Sequence, residues 1–274
     1  IWTQRLFSGA ELGGIKIHAS IDMLIKHNRI HNAGRGLWMD WMAQGTRITG
    51  NLCYDNSTDD LFVEVNHGPF LVDNNIFLSG LSVRDWSQGG AFVHNLMAGK
   101  IDSRPQGRST PYHKAHSTAV AGLSNIKGGD HRFHNNIFIG QPGKAPGFGL
   151  SMYDAREAPL QTGGNVYYSG ARPYAKEADP LTLPDVDPKP EIVEKDGHAY
   201  LHLTLGQAPQ KAATALVTTE RLGSAKIPGL GYENPDGSPV RIDADYFGAK
   251  RSETKPSAGP FEVPAADRLT LKVR

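Results

Sequence analysis

The sequence predicts an all-β fold, a parallel solenoid, on three observations. An asparagine followed by apolar or aromatic residues and a turn recurs six times in the first two thirds of the chain. The shorter spacings, 20 to 24 residues, accommodate about three short strands with tight turns, which is one solenoid coil. The 31 glycines and 18 prolines supply frequent turns and disfavour helices. The repeated asparagines are Asn28, Asn51, Asn75, Asn95, Asn136 and Asn165.

These marker asparagines divide the coil region. Asparagine tolerates left-handed turns, and stacked asparagine side chains can hydrogen-bond from coil to coil, so we expect a ladder of them. The step from Asn95 to Asn136 is 41 residues, which indicates either two irregular coils or one coil with an insertion; we expect the insertion, as a loop near residues 102–130. We therefore assign residues 1–170 to the coils of a solenoid that carries one insertion.

The repeat stops near residue 171, and the pattern changes. ADPLTLPDVDPKPEIV is a proline-rich connector, and Asp196-Gly197 predicts a hairpin turn in the segment that follows. SAGPFEV, residues 257–263, is interpreted as a closing strand. We expect residues 171–274 to form an irregular β extension of loops and short strands that caps or flanks the solenoid, with a separate small β-domain as the alternative.

Charge and composition bear on partners and cofactors. The chain has 29 basic and 28 acidic residues and a net charge of +1, so no nucleic-acid partner is expected. No stretch approaches the roughly 18 apolar residues of a membrane helix, so no membrane partner is expected. Cys53 is the sole cysteine and is expected to be buried. We expect no cofactor; calcium is left open at NSTDD, residues 56–60, which is one short turn without a regular repeat.

Two carboxylates keep the same position in consecutive coils. Asp40 in WMDWMAQGTRITGN lies 11 residues before Asn51, and Glu64 in FVEVNHGPFLVDNN lies 11 residues before Asn75. Equivalent positions of successive coils stack at the spacing of neighbouring strands, about 4.8 Å. Apolar residues flank both acids and alternate inward, so we expect Asp40 and Glu64 side by side on the outer face of one sheet.

Basic and aromatic residues are expected around this pair. The preceding coil places Lys16 or His18 beside Asp40, and the following coil has Arg84 at the shared position. Paired carboxylates are typical of glycosidases, which are retaining at a separation of about 5–5.5 Å and inverting at roughly 6.5–9.5 Å. Mutual repulsion keeps one acid protonated. The alternative is that the acids serve only solubility. The aromatic residues expected to border the row are Trp38, Trp41, Phe62 and Trp86.

Other polar residues are candidates for sugar binding. The insertion carries His113, Lys114 and His116, which we expect to fold over the acids, the alternative being a solvated surface loop. By alternation Asn66 shares the face of the acids, and His67 is either a contact or a turn residue. The histidines lack a clear fourth ligand and any cysteine pair, so no metal site is expected.

Four segments carry a family resemblance: WMDWMAQG, FVEVNHGPFLVDNNIFLS, TPYHKAHSTAVAGL and HNNIFIGQ. They resemble the β-helix β-xylosidases of glycoside hydrolase family 120, over about residues 8–170. The resemblance implies a right-handed parallel β-helix and retaining hydrolysis of β-xylosides. It also implies that Asp40 is the nucleophile and that Glu64 is the acid/base.

The resulting hypothesis is a retaining glycoside hydrolase acting on β-linked xylose in xylo-oligosaccharides. A polysaccharide lyase is the alternative that Lys16 and Arg84 keep open, and a non-catalytic carbohydrate-binding solenoid is a third. Family members have a β-sandwich upstream, whereas this sequence enters coil-like segments soon after Ile1. We therefore expect an upstream fragment or second chain that completes the β-helix; a homo-oligomer is left open, and a secreted or periplasmic location is favoured.

Overall fold

The computed structural model describes residues 11–141, 143, 147–262 and 268–274. Residues 1–10, which the sequence assigned to the coils, lie outside this range. The described residues are mainly strands and turns, with a 3₁₀ turn at Ser151–Tyr153 and two short helices, α1 (Ala208–Lys211) and α2 (Thr219–Leu222). None of the helices in these ranges is long and apolar enough to cross a bilayer.

The chain winds through successive coils, each adding one strand to each of up to three sheets. The first four coils contain β1 (Ile15–His18), β2 (Leu24–Lys26), β3 (Arg29–His31), β4 (Arg35–Asp40), β5 (Arg47–Thr49), β6 (Leu52–Tyr54), β7 (Asp59–Glu64), β8 (Phe70–Asp73), β9 (Ile76–Phe77), β10 (Leu81–Trp86), β11 (Gly90–Val93) and β12 (Leu96–Met97). The later strands of the coil region are β13 (Lys100–Ser103), β14 (Ser109–His113), β15 (Val120–Asn125), β16 (Arg132–His134), β17 (Ile137–Ile139), β18 (Gln161–Gly163) and β19 (Val166–Tyr168).

Three parallel sheets result from this winding. The first has the order β1-β4-β7-β10-β13, and the second has the order β2-β5-β8-β11-β16-β18. The third runs β3-β6-β9-β12-β17-β19 and continues into β20 (Leu181–Leu183). Because neighbouring strands in each sheet come from consecutive coils and are parallel, the arrangement is consistent with a β-helix. Between β13 and β16 the chain leaves the coils as an antiparallel hairpin, β14–β15, in the region where the long asparagine step predicted an insertion.

The asparagine ladder is present in the described coils. Each marker asparagine from Asn28 to Asn136 donates its side-chain amide to the next marker's Oδ1, at 2.9–3.1 Å. The backbone N–H of the same residues donates to the same oxygens. From Asn51 onward these asparagines are buried, so the ladder satisfies polar groups that would otherwise be costly. It keeps the coils in register and thereby fixes which residues of adjacent strands meet.

The C-terminal part packs on the outside of the second and third sheets. Its predicted hairpin is present: Asp196 and Gly197 have φ values of 52° and 77°, as a tight hairpin turn requires. Leu201 and Leu203 bury against outward apolar residues of the third sheet, such as Leu96. The strands of this part are β21 (Glu191–Lys195), β22 (His198–Leu203), β23 (Ser224–Ala225), β24 (Leu230–Gly231) and β25 (Leu269–Lys272).

The predicted closing strand at SAGPFEV is wrong over residues 257–262, which have no regular structure, and Val263 lies outside the described residues. The buried Arg251 holds this segment instead, through the carbonyls of Ser257 and Gly259 and the carboxylate of Glu262. The edge strand beside β22 is β25.

Candidate active site

Asp40 and Glu64 end neighbouring strands of the first sheet, β4 and β7. The register pairs Met39 with Val63, and the next residue of each strand is the carboxylate. Met39 and Val63 point into the core, so both acids project from the outer face. The structure therefore brings the two predicted acids together, through the equal coil length of 24 residues that also pairs Arg35 with Asp59.

The row around the acids differs from the prediction on one side. His18 pairs with Asp40, as expected, but the position after Glu64 belongs to Trp86. Arg84 pairs with Phe62 and hydrogen-bonds Asp59 at 2.8 Å, outside the lining of the pocket described below. The prediction was wrong because the connection from β10 to its marker asparagine is shorter than the one from β7.

Asp40 is held by a cation and a backbone donor. Its Oδ1 accepts the backbone N–H of Trp41 at 2.7 Å, and Lys16 Nζ lies 2.9 Å from Oδ2. Lys16 also pairs with Glu11 and lies 3.9 Å from the ring centre of Trp38. Asp40 is 8% exposed, so its charge has little direct contact with water and depends on these partners. In the strand pairing Lys16 lies opposite Trp38, two residues before Asp40, so its side chain reaches Asp40 diagonally.

Glu64 has a more open and less fully compensated environment. Trp38 Nε1 donates to its Oε2 at 3.1 Å, and Arg108 Nη1 donates to its Oε1 at 3.3 Å. The pKa of Glu64 is raised, chiefly by partial burial and then by the negative charge of the neighbouring Asp40. Glu64 therefore retains a proton to higher pH than an ordinary glutamate, which is the property of an acid catalyst.

The two acids open into one pocket with a cavity volume of about 380 Å³, within the range of small-molecule sites. Its aromatic rings contact each other: Trp38 and Phe62 are 5.4 Å apart between centroids, and Phe62 and Trp86 are 4.9 Å apart. A paired carboxylate site with aromatic walls suits a neutral ring such as a sugar. The lining consists of Glu11, His18, Arg35, Trp38, Asp40, Trp41, Phe62, Glu64, Trp86 and Arg108.

Asn66 and His67 do not line this pocket. Asn66 is fully buried, where its amide accepts from the Ala43 N–H at 2.8 Å and donates to the Met39 carbonyl at 2.9 Å. Strand alternation fails because Val65 adopts a left-handed conformation, with φ of 49°, and turns the chain. His67 is a buried packing residue between Gln88 and Thr110.

The candidate residues at the tip of the insertion lie elsewhere. His113 is buried, and its backbone binds the side-chain amide of Gln44 through both N–H and C=O. Lys114 is exposed. His116 bridges Asp22 and Glu233, each at 3.0 Å. The expectation that this tip covers the acids was wrong, because Gln44 and Asp22 hold it against the turns beyond β4 and β1.

Sequence reasoning missed Arg108 and Arg35, which line the pocket. Arg108 lies in the insertion, where no periodicity predicts which side chain meets the coils. Arg35 had a usable signal: it stands five residues before Asp40, and Asp59 stands five before Glu64, so the same reasoning pairs them.

In the described ranges, no group of three or more His, Cys, Asp or Glu side chains is arranged to hold a metal ion. The acids of the NSTDD turn have protein partners, Asp59 with Arg35 and Arg84, and Asp60 with Ser79 and Asn56.

No protein-family model and no curated protein matches this chain. A solved structure described as the complex of XylC with xylose superposes with a TM-score of 0.92, at 41% sequence identity over 97% of this chain. The resemblance to the β-xylosidases of glycoside hydrolase family 120 is confirmed. The chain spans 45% of the XylC chain. Two of the segments that carry the resemblance, WMDWMAQG and FVEVNHGPFLVDNNIFLS, contain Asp40 and Glu64. These acids end β4 and β7, where the pocket opens.

Proposed function

We propose that this chain carries the catalytic pair of a retaining β-xylosidase on a right-handed parallel β-helix. The observation that carries the proposal is the placement of Asp40 and Glu64 at the ends of adjacent strands, in one pocket with aromatic walls. Neighbouring strands are about 4.8 Å apart, close to the carboxylate separation of retaining enzymes and too short for an inverting one. In this proposal residues 1–170, with the insertion near 102–130, form the catalytic coils, and residues 171–274 cover their flank.

The two acids take different roles because their environments differ. Asp40, paired with Lys16, attacks the anomeric carbon and forms a glycosyl-enzyme ester while the glycosidic bond breaks. Glu64, whose pKa is raised by burial, donates its proton to the leaving oxygen. Glu64 then removes a proton from water, which attacks the same carbon and releases the sugar with its original configuration.

The substrate class rests on similarity. The XylC structure is described as a complex with xylose. The sequence identity to it is 41% over 97% of the present chain. We therefore propose β-linked xylosides, and xylo-oligosaccharides as the polymer-derived substrates, in xylan degradation.

The test is hydrolysis of a panel of aryl β-glycosides by the chain, with the anomeric configuration of the first product followed by NMR. Release from the xyloside with retention supports the proposal. Release with inversion contradicts the retaining mechanism. An unsaturated uronate product, detected by absorbance, would instead identify a lyase. Binding of xylo-oligosaccharides without turnover of any substrate would identify a carbohydrate-binding solenoid.

A further inference from the structure

Arg108 reaches the acid pair from a distant part of the chain. It lies in the insertion of the coil that contains β13, just before β14, whereas Glu64 ends β7 two coils earlier. Its guanidinium donates to Glu64 Oε1 at 3.3 Å, and its central carbon lies 5.5 Å from the ring centre of Trp41.

The backbone around Arg108 is firmly placed. Its carbonyl accepts the Ile126 N–H at 3.0 Å, across the base of the hairpin. Two residues later, Thr110 Oγ1 donates to the Val65 carbonyl at 3.1 Å, and the Thr110 carbonyl is 3.0 Å from His67 Nε2. The Arg108 side chain is 47% exposed, so a fixed backbone presents an exposed guanidinium to the pocket.

Arg108 lies on the Glu64 side of the pocket, away from the cation that contacts Asp40. Asp40 is the more deeply buried acid, and its cation is Lys16. Glu64 directs Oε2 toward Trp38 and Oε1 toward the exposed Arg108. In a retaining enzyme the acid/base stands beside the oxygen of the departing group, so Arg108 and Trp41 lie where that group would be bound.

We propose that Arg108 and Trp41 form the leaving-group subsite and recognise the departing unit as a neutral, hydroxyl-bearing sugar. This inference rests on the proposed function. A guanidinium has five N–H donors, and among the described residues the Arg108 guanidinium makes one hydrogen bond, leaving donors for sugar hydroxyls. The Trp41 ring, which also contacts His18 edge-on, gives an apolar surface for the sugar face.

The experiment compares xylobiose with 2,4-dinitrophenyl β-xyloside, whose leaving group needs no proton and has no hydroxyls. Arg108→Ala should lower kcat/KM for xylobiose by about tenfold or more relative to the aryl substrate, since hydrogen bonds to a charged group are lost. Arg108→Lys, which keeps the charge, should restore part of the ratio. Arg104→Ala is the matched control, because Arg104 is exposed, pairs with Asp102 and does not line the pocket.

Two outcomes overturn the inference while leaving the proposed function intact. An equal loss on both substrates would mean that Arg108 only supports the hairpin or Glu64, and no loss on either would mean that it binds nothing in the reaction. If the unchanged chain cleaves neither xyloside, the proposed function fails and this inference fails with it.

Discussion

The indole nitrogen of Trp38 donates a hydrogen bond of 3.1 Å to Oε2 of Glu64. One side chain therefore forms part of the aromatic wall and also orients the proposed acid. Trp38 lies two residues before Asp40 on β4, so a single strand provides one acid and positions the other.

Trp38→Phe should separate these two roles. The ring remains, but the hydrogen bond that favours the charged form of Glu64 is lost, so the pKa of Glu64 should rise further. We expect the basic limb of the kcat/KM profile to move to higher pH. Trp86→Phe is the control, since the indole nitrogen of Trp86 has no hydrogen-bond partner among the described residues. An equal displacement in both variants would argue against a specific role for the Trp38 donor.

Asp40→Asn and Glu64→Gln should both fold and both lose turnover. Neither change removes volume from the core, so thermal unfolding should stay close to that of the unchanged chain. With 2,4-dinitrophenyl β-xyloside, Glu64→Gln should accumulate a covalent glycosyl-enzyme, because the first step no longer needs an acid and the second lacks its base. Asp40→Asn should accumulate none. Intact-protein mass spectrometry distinguishes them, and an adduct on the Asp40 variant would remove Asp40 as nucleophile.

Activity should fall as pH rises through the raised pKa of Glu64. Burial and the charge of Asp40 raise this pKa, while the Arg108 guanidinium lowers it. Because the first step requires protonated Glu64, Arg108→Ala should extend activity toward higher pH. The measurement is kcat/KM against pH for xylobiose; a basic limb displaced to lower pH would contradict the assignment of Glu64 as the acid.

Asn95→Ala should destabilise the coils. Its amide accepts from the backbone and side chain of Asn75 and donates to Asn136 and to the Val72 carbonyl, all in buried surroundings. Unpaired buried groups cost about 1–3 kcal/mol each, so we expect a loss of about 3 kcal/mol in the free energy of unfolding. Asn28→Ala, at the partly exposed first rung, should cost less. Equal costs in denaturant titrations would mean that the ladder does not act through burial.

The tip of the insertion should loosen as pH rises. Hydrogen bonds to Glu233 and Asp22 raise the pKa of His116, and Asp236 is also close. The stabilisation is thus complete below the unfolded-state pKa, about 6.5, and is lost as pH rises through the raised value. Because the site is exposed, the effect should stay within about 1 kcal/mol. Trypsin cleavage after Lys114 should accelerate at alkaline pH relative to that of a reference substrate; in His116→Asn the acceleration should disappear.

Sequence reasoning succeeded where one physical rule governs a repeated position. The asparagine ladder follows from periodicity, and the Asp40–Glu64 pair follows from equal spacing to it. The same rule failed where the backbone departs from the repeat. The left-handed Val65 turned Asn66 into the interior, and a shorter connection gave Trp86 the position assigned to Arg84. Arg108 belongs to an insertion, and its contact with Glu64, 44 residues away, depends on tertiary structure alone.

The pocket is built from two parts that tolerate sequence change differently: the stacked strands and the hairpin insertion. The acids sit on stacked strands, where a change in coil length would shift every neighbouring rung. The wall that carries Arg108 belongs to the hairpin, which branches from a single coil. Side-chain amides such as those of Gln44 and Gln88 join this hairpin to the stacked coils. Its length and sequence can therefore change without altering the stacking that aligns the acids. Relatives with this scaffold should diversify in the sugar they release more readily than in the way they break the bond.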